Sequence, residues 1–316
     1  MHRLFSLAIL LAVCTGARAD NGDFVSPEAK LEKLWGDGEF TEGPCLGPDG
    51  CIYFSDIGNR ILKFDPEKKM KTTSVFRDPS GRSNGLKFDA MGRLIACEGA
   101  NTGGNRRISI TDKDGKITTL ADKFMGKAFN SPNDLALDAK GRVYFTDPRY
   151  VGDEKRELEN EGVYRVDPDG KVSLVITDVS KPNGIALSPD QKTLYLAESH
   201  PIGKGKRELR AYPLNDDGTF GKGKMLFDFG DDRGIDGMTM TSTGHIVATA
   251  GKGKTAGITV FTPEGKKVGF IATPEDPSNC CFGGKDLSIL YVTAGKSLYR
   301  VSTKMTGVDP SKTSKN

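Results

Sequence analysis

Six acid or amide residues, Glu42, Asn84, Asn133, Asn183, Asp236 and Asn279, each open a short run of alternating apolar residues, at separations of 42, 49, 50, 53 and 43 positions. One polar residue at such a spot is ordinary, because Asn and Asp favour turns. Six at matched offsets require a shared reason. Fourteen or fifteen residues after the first four come four carboxylates, Asp56, Glu98, Asp147 and Glu198. Gathered at one place, Glu42 and Asp236 with several amides would form a hard-oxygen donor set. Such a set suits Ca, Mg or Mn rather than zinc, since no thiolate or clustered imidazole accompanies it. The two carboxylates would neutralise one divalent cation. Nucleophilic serine chemistry is poorly provided for, because only His200 and His245 follow residue 19. His245 stands just after a turn glycine and reads as structural.

The elements that must carry these residues are a repeat. The openings "EGPCLGPDGCIYFSD", "NGLKFDAMGRLIACE", "NDLALDAKGRVYFTD", "NGIALSPDQKTLYLAE", "DGMTMTSTGHIVATA" and "NCCFGGKDLSILYVTA" share one pattern. In four of them a glycine follows the first residue by eight positions (Gly50, Gly92, Gly141, Gly244), where a hairpin turn needs a permissive backbone. Two further strand-like runs follow in most units, as in "NRILKFDP" and "TTSVFRD". Four strands per unit, repeated at roughly 40 to 50 residues, is the pattern of a β-propeller. The fold is therefore read as all-β, a six-bladed β-propeller with four strands per blade. The last unit has only three strands, and "AKLEKLWGD" near the N-terminus is expected to supply the fourth, closing the ring. Because the first strand of each blade lines the central channel, the six polar residues should face one another at one mouth. The second strand, running antiparallel, should return Asp56, Glu98, Asp147 and Glu198 to the same mouth.

The first nineteen residues have a basic start, an apolar run from Leu4 to Val13 and the small-x-small triplet Ala17-Arg18-Ala19. This reads as a removed signal peptide; its apolar run is too short to span a membrane of roughly 30 Å. Cys14 would suit lipid attachment only with a small residue before it, and Val13 is not one. The expected organisation is a leader over 1–19, one propeller over 20–305 and a polar tail over 306–316, in an exported protein that is periplasmic or secreted. Losing Arg3 and Arg18 takes the formal charge from +3 to about +1. Nucleic acid and, after removal of the leader, membrane are therefore not expected partners; oligomeric state is left open. Of the five remaining cysteines, Cys45 and Cys51 flank one turn and could bridge. Cys280 and Cys281, on the innermost strand of the last blade, read as apolar packing.

The motifs "TEGP", "SPND" with "YFTDP", "KPNG", "IDGM" and "SNCCFGG" followed by "LYVT" resemble the gluconolactonase, regucalcin and luciferin-regenerating-enzyme family. The resemblance covers nearly all of the chain beyond the leader. It implies a six-bladed propeller holding one divalent cation at the channel mouth through Glu42, Asn183 and Asp236. Ca is the expected ion, with Mg, Mn or Zn as alternatives. It also implies a small-molecule lactone substrate, a sugar-acid lactone, with Asp236 as proton acceptor and donor. Asn133 falls where the family contacts substrate or reaches the metal through water. Asn84 and Asn133 are expected to bind substrate hydroxyls, with Asp147, Glu198, His200 and Tyr150 around them. The segment from Asp147 to Gly162 is expected as a partial lid, carrying Arg149 and Tyr150 to the substrate. One departure concerns the substrate: aldonolactonases of this family often carry Arg two residues before the "PND" asparagine, where this chain has Ser131. Hydrolysis of organophosphate-type esters on the same metal, and a binding propeller that uses Ca only as a structural tie, are the competing readings.

Overall fold

The computed structural model describes residues 24–25, 29–68 and 73–309; the expected leader over 1–19 lies outside them. Six four-stranded sheets stand around a central axis. Blade 1 is Thr41–Leu46, Ile52–Asp56, Arg60–Phe64 and Thr73–Arg77; blade 2 is Ser83–Phe88, Leu94–Glu98, Arg107–Thr111 and Ile117–Ala121. Blade 3 is Leu135–Leu137, Val143–Thr146, Val163–Val166 and Val172–Ile176, and blade 4 is Pro182–Leu187, Thr193–Ser199, Arg207–Pro213 and Lys224–Asp228. Blade 5 is Met238–Met240, Ile246–Ala250, Gly257–Phe261 and Lys267–Ala272. Blade 6 takes Pro277–Gly283, Ile289–Ala294 and Ser297–Ser302 from the end of the chain and Glu32–Trp35 from its start. Glu32 pairs with Arg300 and Lys33 with Tyr299, so the ring closes as the sequence predicts. A two-stranded hairpin, Lys123–Phe124 with Lys127–Ala128, links blades 2 and 3 outside this scheme.

Local sequence explains the hairpins. Gly50 and Gly244 hold φ of 77° and 88°, a region that a residue with a Cβ adopts only under strain, and both close the turn between first and second strands. Burial explains the assembly. The second strands are almost wholly buried, along their entire length in blades 1, 2, 3 and 5, because each sheet packs both faces against its neighbours. The apolar side chains sort into six clusters, one at each seam between blades. Ile52, Phe54 and Phe64 of blade 1 meet Cys281, Tyr291 and Leu298 of blade 6; Ile95 and Cys97 of blade 2 meet Phe129 and Phe145 of the blade 3 region. The propeller thus has distributed cores and a polar axis.

Two expectations need correction. Cys45 and Cys51 do not bridge; all five described cysteines are free and buried, including Cys280 and Cys281, which pack as expected. The tail does not leave at residue 306 either. Met305 is buried, Ser242 N donates to Thr306 O at 2.8 Å and Gly307 bridges Thr241, so the propeller keeps hold of the chain to about residue 308.

Candidate active site

The polar residue that opens each first strand is positioned by its C-terminal neighbour. In blades 1, 2, 4 and 5 that neighbour is glycine (Gly43, Gly85, Gly184, Gly237). Gly184 N donates to Asp236 O of the next blade at 2.7 Å, and Gly85 N to Asn133 O at 2.7 Å. A Cβ on Gly184 would lie 2.3 Å from Asp236 O, so no other residue lets the backbones approach this closely. Short backbone-to-backbone contacts between blades thereby draw the ring together. Glu42, Asn84, Asn133, Asn183 and Asp236 line one cavity of about 620 Å³, together with Tyr150, His200, Arg82, Arg233 and Lys252. Asn279, the sixth, is withdrawn. Its Nδ2 donates to Asp134 Oδ2 at 3.4 Å and its Oδ1 accepts from Cys280 N at 2.8 Å.

Two carboxylates face this cavity. Glu42 is 3% exposed; burial, then the nearby charge of Asp236, raises its pKa well above the ordinary range. Asp236 is also raised by burial, against the lowering pull of Arg233. Its Oδ1 accepts from Asn183 Nδ2 at 2.8 Å, and its Oδ2 pairs with the Arg233 guanidinium. Arg233 is held in turn by Pro277 O at 2.8 Å and Gly251 O at 3.2 Å. Near them Asn84 Oδ1 is buried without a hydrogen-bond partner, which costs about 1 to 3 kcal/mol unless a ligand or water satisfies it. Among the described residues no group of three or more His, Cys, Asp or Glu is placed to hold a metal. A cation here would rest on two carboxylates and amide oxygens. That donor set fits a hard divalent ion, since the pair carries like charges that burial forces together.

The structure does not bring Asp147 or Glu198 to this cavity. Asp147 is fully buried, and its two oxygens accept from Asn130 N and Ser131 N at 2.7 Å each. Glu198 accepts from Ser180 N at 3.1 Å and Lys181 N at 3.0 Å. Asp56 does the same with Glu39 N and Phe40 N, while Glu98 is taken up by Arg77, Arg107 and Asn105. In blades 1, 3 and 4 the reason is the lead-in to the first strand, whose amides have no strand partner. There the acid ending the second strand satisfies them and so fixes the loop that presents the ring residue. Asp56, Asp147 and Glu198 thus position the site from behind, whereas Glu98 is held by side chains alone.

Tyr150 and His200 do line the cavity. Tyr150 donates its hydroxyl to Ser199 O at 2.8 Å and accepts from Asn183 Nδ2 at 3.3 Å. His200 Nε2 lies 2.7 Å from Ser180 Oγ. Arg149, expected beside the substrate, instead binds Asn130 O at 2.8 Å and Glu154 O at 3.0 Å and so shapes the loop that carries Tyr150. Ser131 is also engaged, its Oγ accepting from Ala100 N at 2.9 Å. His245 contacts Thr243 Oγ1 at 3.1 Å and the Phe24 ring, a structural place as expected. The segment Gly81–Gly85, GRSNG, has GxSxG spacing, but it enters a propeller strand and Ser83 Oγ is buried against Ser55 Oγ at 2.9 Å. A nucleophile elbow needs a strand-to-helix turn with an exposed hydroxyl. Sequence reasoning missed Arg233, Arg82 and Lys252, which sit in loops beside the ring positions. The run "DDRGIDG" held the one available signal, an Arg three residues before Asp236.

Residues 40–296 match the SMP-30/Gluconolactonase/LRE-like region. The chain belongs to this family. It is 32% identical over 306 residues to a gluconolactonase of Zymomonas mobilis, covering 88% of this chain and 82% of that one. It is 28% identical over 263 residues to a pentonolactonase of Haloferax volcanii, covering 80% of each. A solved gluconolactonase structure from Xanthomonas campestris superimposes with a TM-score of 0.77 at 30% identity, covering 88% of this chain and 90% of that chain. Membership in the SMP-30/gluconolactonase family agrees with the motif reading and with the six blades.

Proposed function

We propose that this protein is a divalent-cation-dependent lactonase acting on a sugar-acid lactone. The observation that carries the reading is the Glu42 and Asp236 pair, enclosed together at the mouth beside Asn183 in a cavity whose lining also includes the amides of Asn84 and Asn133. The names of the relatives, two of them lactonases of sugar acids, support the same substrate class.

Glu42, Asn183 and Asp236 would hold the cation, a hard divalent ion by donor type and calcium by the family resemblance, which when bound would supply Lewis acidity toward the ring carbonyl. The remaining work belongs to the chain. Asp236 removes a proton from the attacking water as its oxygen bonds to the carbonyl carbon. It returns that proton to the ring oxygen as the carbon–oxygen bond breaks, giving a hydroxy acid. Asn183 and Arg233, each on one oxygen of Asp236, fix the direction in which the carboxylate points. Asn84 and Asn133, which line the cavity, would hydrogen-bond substrate hydroxyls, and Tyr150 and His200 would limit water access from the rim. Export through the leader over residues 1–19 belongs to the same proposal, and a mature chain beginning at Asp20 is its expected product.

A panel of lactones assayed with and without a chelator tests the reading. Hydrolysis that a chelator abolishes and calcium restores supports it. No turnover of any lactone by protein with calcium demonstrably bound would sink it in favour of a binding propeller.

A further inference from the structure

Two residues before each ring residue stand Phe40, Arg82, Ser131, Lys181, Gly234 and Pro277. Only two of these are cations, and only one is free. Lys181 Nζ is spent on Glu161, at 2.7 and 2.9 Å, and on Arg149 O at 2.8 Å. Arg82 lines the cavity, and no hydrogen bond or ion pair engages its guanidinium among the described residues; its Nε is buried and unpartnered. The backbone below it is clamped. Arg82 N donates to Asn59 Oδ1 at 2.8 Å, Arg82 O accepts from Gly99 N at 3.0 Å, and φ is 54°, left-handed for a residue with a long side chain. Strain of this kind persists where surrounding structure enforces it, most often at ligand sites.

Charge points the same way. Five formally charged side chains line the cavity, and three are cations, Arg82, Arg233 and Lys252, against Glu42 and Asp236. Arg233 is committed to Asp236, and Glu42 and Asp236 are the carboxylates proposed above to hold a cation. That leaves Arg82 and Lys252, and of the two Arg82 is the planar fork of donors, with the unpartnered Asn84 Oδ1 two residues further along. A guanidinium fork matches a carboxylate or phosphate bidentately, and the adjacent acceptor matches a hydroxyl.

We propose that Arg82 selects lactones bearing a second anionic group, a carboxylate or phosphate remote from the ring carbonyl, so that the preferred substrate is an acidic sugar lactone. This rests on the lactonase reading above and narrows its substrate class.

The test compares wild-type protein with Arg82→Asn, which tolerates the left-handed backbone, and Arg82→Lys, which keeps charge without the fork, all with calcium. The lactones are neutral gluconolactone, glucarolactone and phosphogluconolactone. Arg82→Asn should lower kcat/KM for the anionic lactones roughly 10- to 100-fold more than for gluconolactone, as loss of a charged bidentate contact does. The Lys variant should fall between, and the anionic lactone that loses more identifies carboxylate or phosphate as the preferred group. Equal losses on neutral and anionic lactones, or no loss, would overturn the proposal. If wild-type protein hydrolyses no lactone, the lactonase reading fails by itself. Calorimetry with glucarate and phosphogluconate then decides: binding weakened by Arg82→Asn upholds anion recognition, and binding indifferent to it overturns it.

Discussion

Asn183 Nδ2 donates to Asp236 Oδ1 at 2.8 Å, while the next residue of the same strand, Gly184, donates its amide to Asp236 O at 2.7 Å. Blade 4 therefore holds blade 5's acid twice, by side chain and by backbone. The carboxylate proposed as proton carrier cannot turn without breaking contacts made by its neighbour.

Asp236→Asn should leave the fold intact and remove turnover. An amide oxygen still accepts from Asn183, but it has no useful affinity for a water proton. General acid–base groups contribute roughly a hundred- to ten-thousand-fold, so kcat on a hydrolysed lactone should fall by about that range with unchanged circular dichroism. Retained turnover would remove Asp236 as the base.

Gly184→Ala should damage activity and stability together. The new Cβ would lie 2.3 Å from Asp236 O, and backbone cannot step aside as a flexible side chain can. Overpacking of this kind costs about 1 to 3 kcal/mol. A lowered Tm with a larger proportional fall in kcat is expected; an unaltered melt would show that the two blades can separate freely.

The paired acids give the cation a pH dependence. Glu42 and Asp236 have raised pKa values in the folded protein, so without a cation their stabilising protonated form is complete at low pH and is lost as pH rises through the raised values. Bound calcium requires the ionised forms and so reverses the trend. The rise in Tm on adding calcium should grow with pH, approaching about 2.7 kcal/mol of added stability at roughly a hundred times Kd. Glu42→Gln should raise the Tm of the calcium-free protein near neutrality and abolish most of that calcium response. Thermal melts across pH with calcium or chelator read both effects.

Ring closure has its own pH signature. Partial burial would raise the Glu275 carboxyl, but donation from Ser297, Tyr299, the Lys296 amide and Lys33 outweighs it and holds the group down at about 2. Lys33 belongs to the N-terminal strand, so Glu275 ties both ends of the chain to blade 6. A lowered pKa is stability present above the ordinary carboxylate value and lost as pH falls toward the folded value. Glu275→Gln should raise the pH at which the protein unfolds in acid; an acid transition identical to wild type would show that this tie is unimportant.

The blades were legible because each unit repeats the same period, turn glycine and polar opening, and even the borrowed strand Glu32–Trp35 followed from counting strands. Glu42, Asn84, Asn133, Asn183 and Asp236 were legible for the same reason, since equivalent positions in a ring must share an environment. Asp147 and Glu198 misled because strand direction says which mouth a residue reaches but not which way its side chain turns. Unpaired amides in the lead-in loops captured both. Arg82 and Arg233 stayed hidden because loops carry no period, and only the packing of adjacent loops brings them to the cavity. Asn279 was misplaced by one substitution elsewhere: blade 3 has Asp134 where four other blades have glycine, and that extra carboxyl draws the asparagine away from the mouth.

The contact between Asp134 of blade 3 and Asn279 of blade 6 also crosses the axis, joining blades that lie opposite one another. A second cavity of about 160 Å³, lined by Lys87, Met238, Cys281 and Val308 among others, lies at the far ends of the inner strands and shares no lining residue with the first. The axis thus carries two separate cavities, one at each end of the inner strands, with a polar contact across it. In the proposed reaction the opened hydroxy acid forms in the same cavity that takes up the lactone, beside Tyr150 and His200, so accumulated acid would compete directly with fresh lactone.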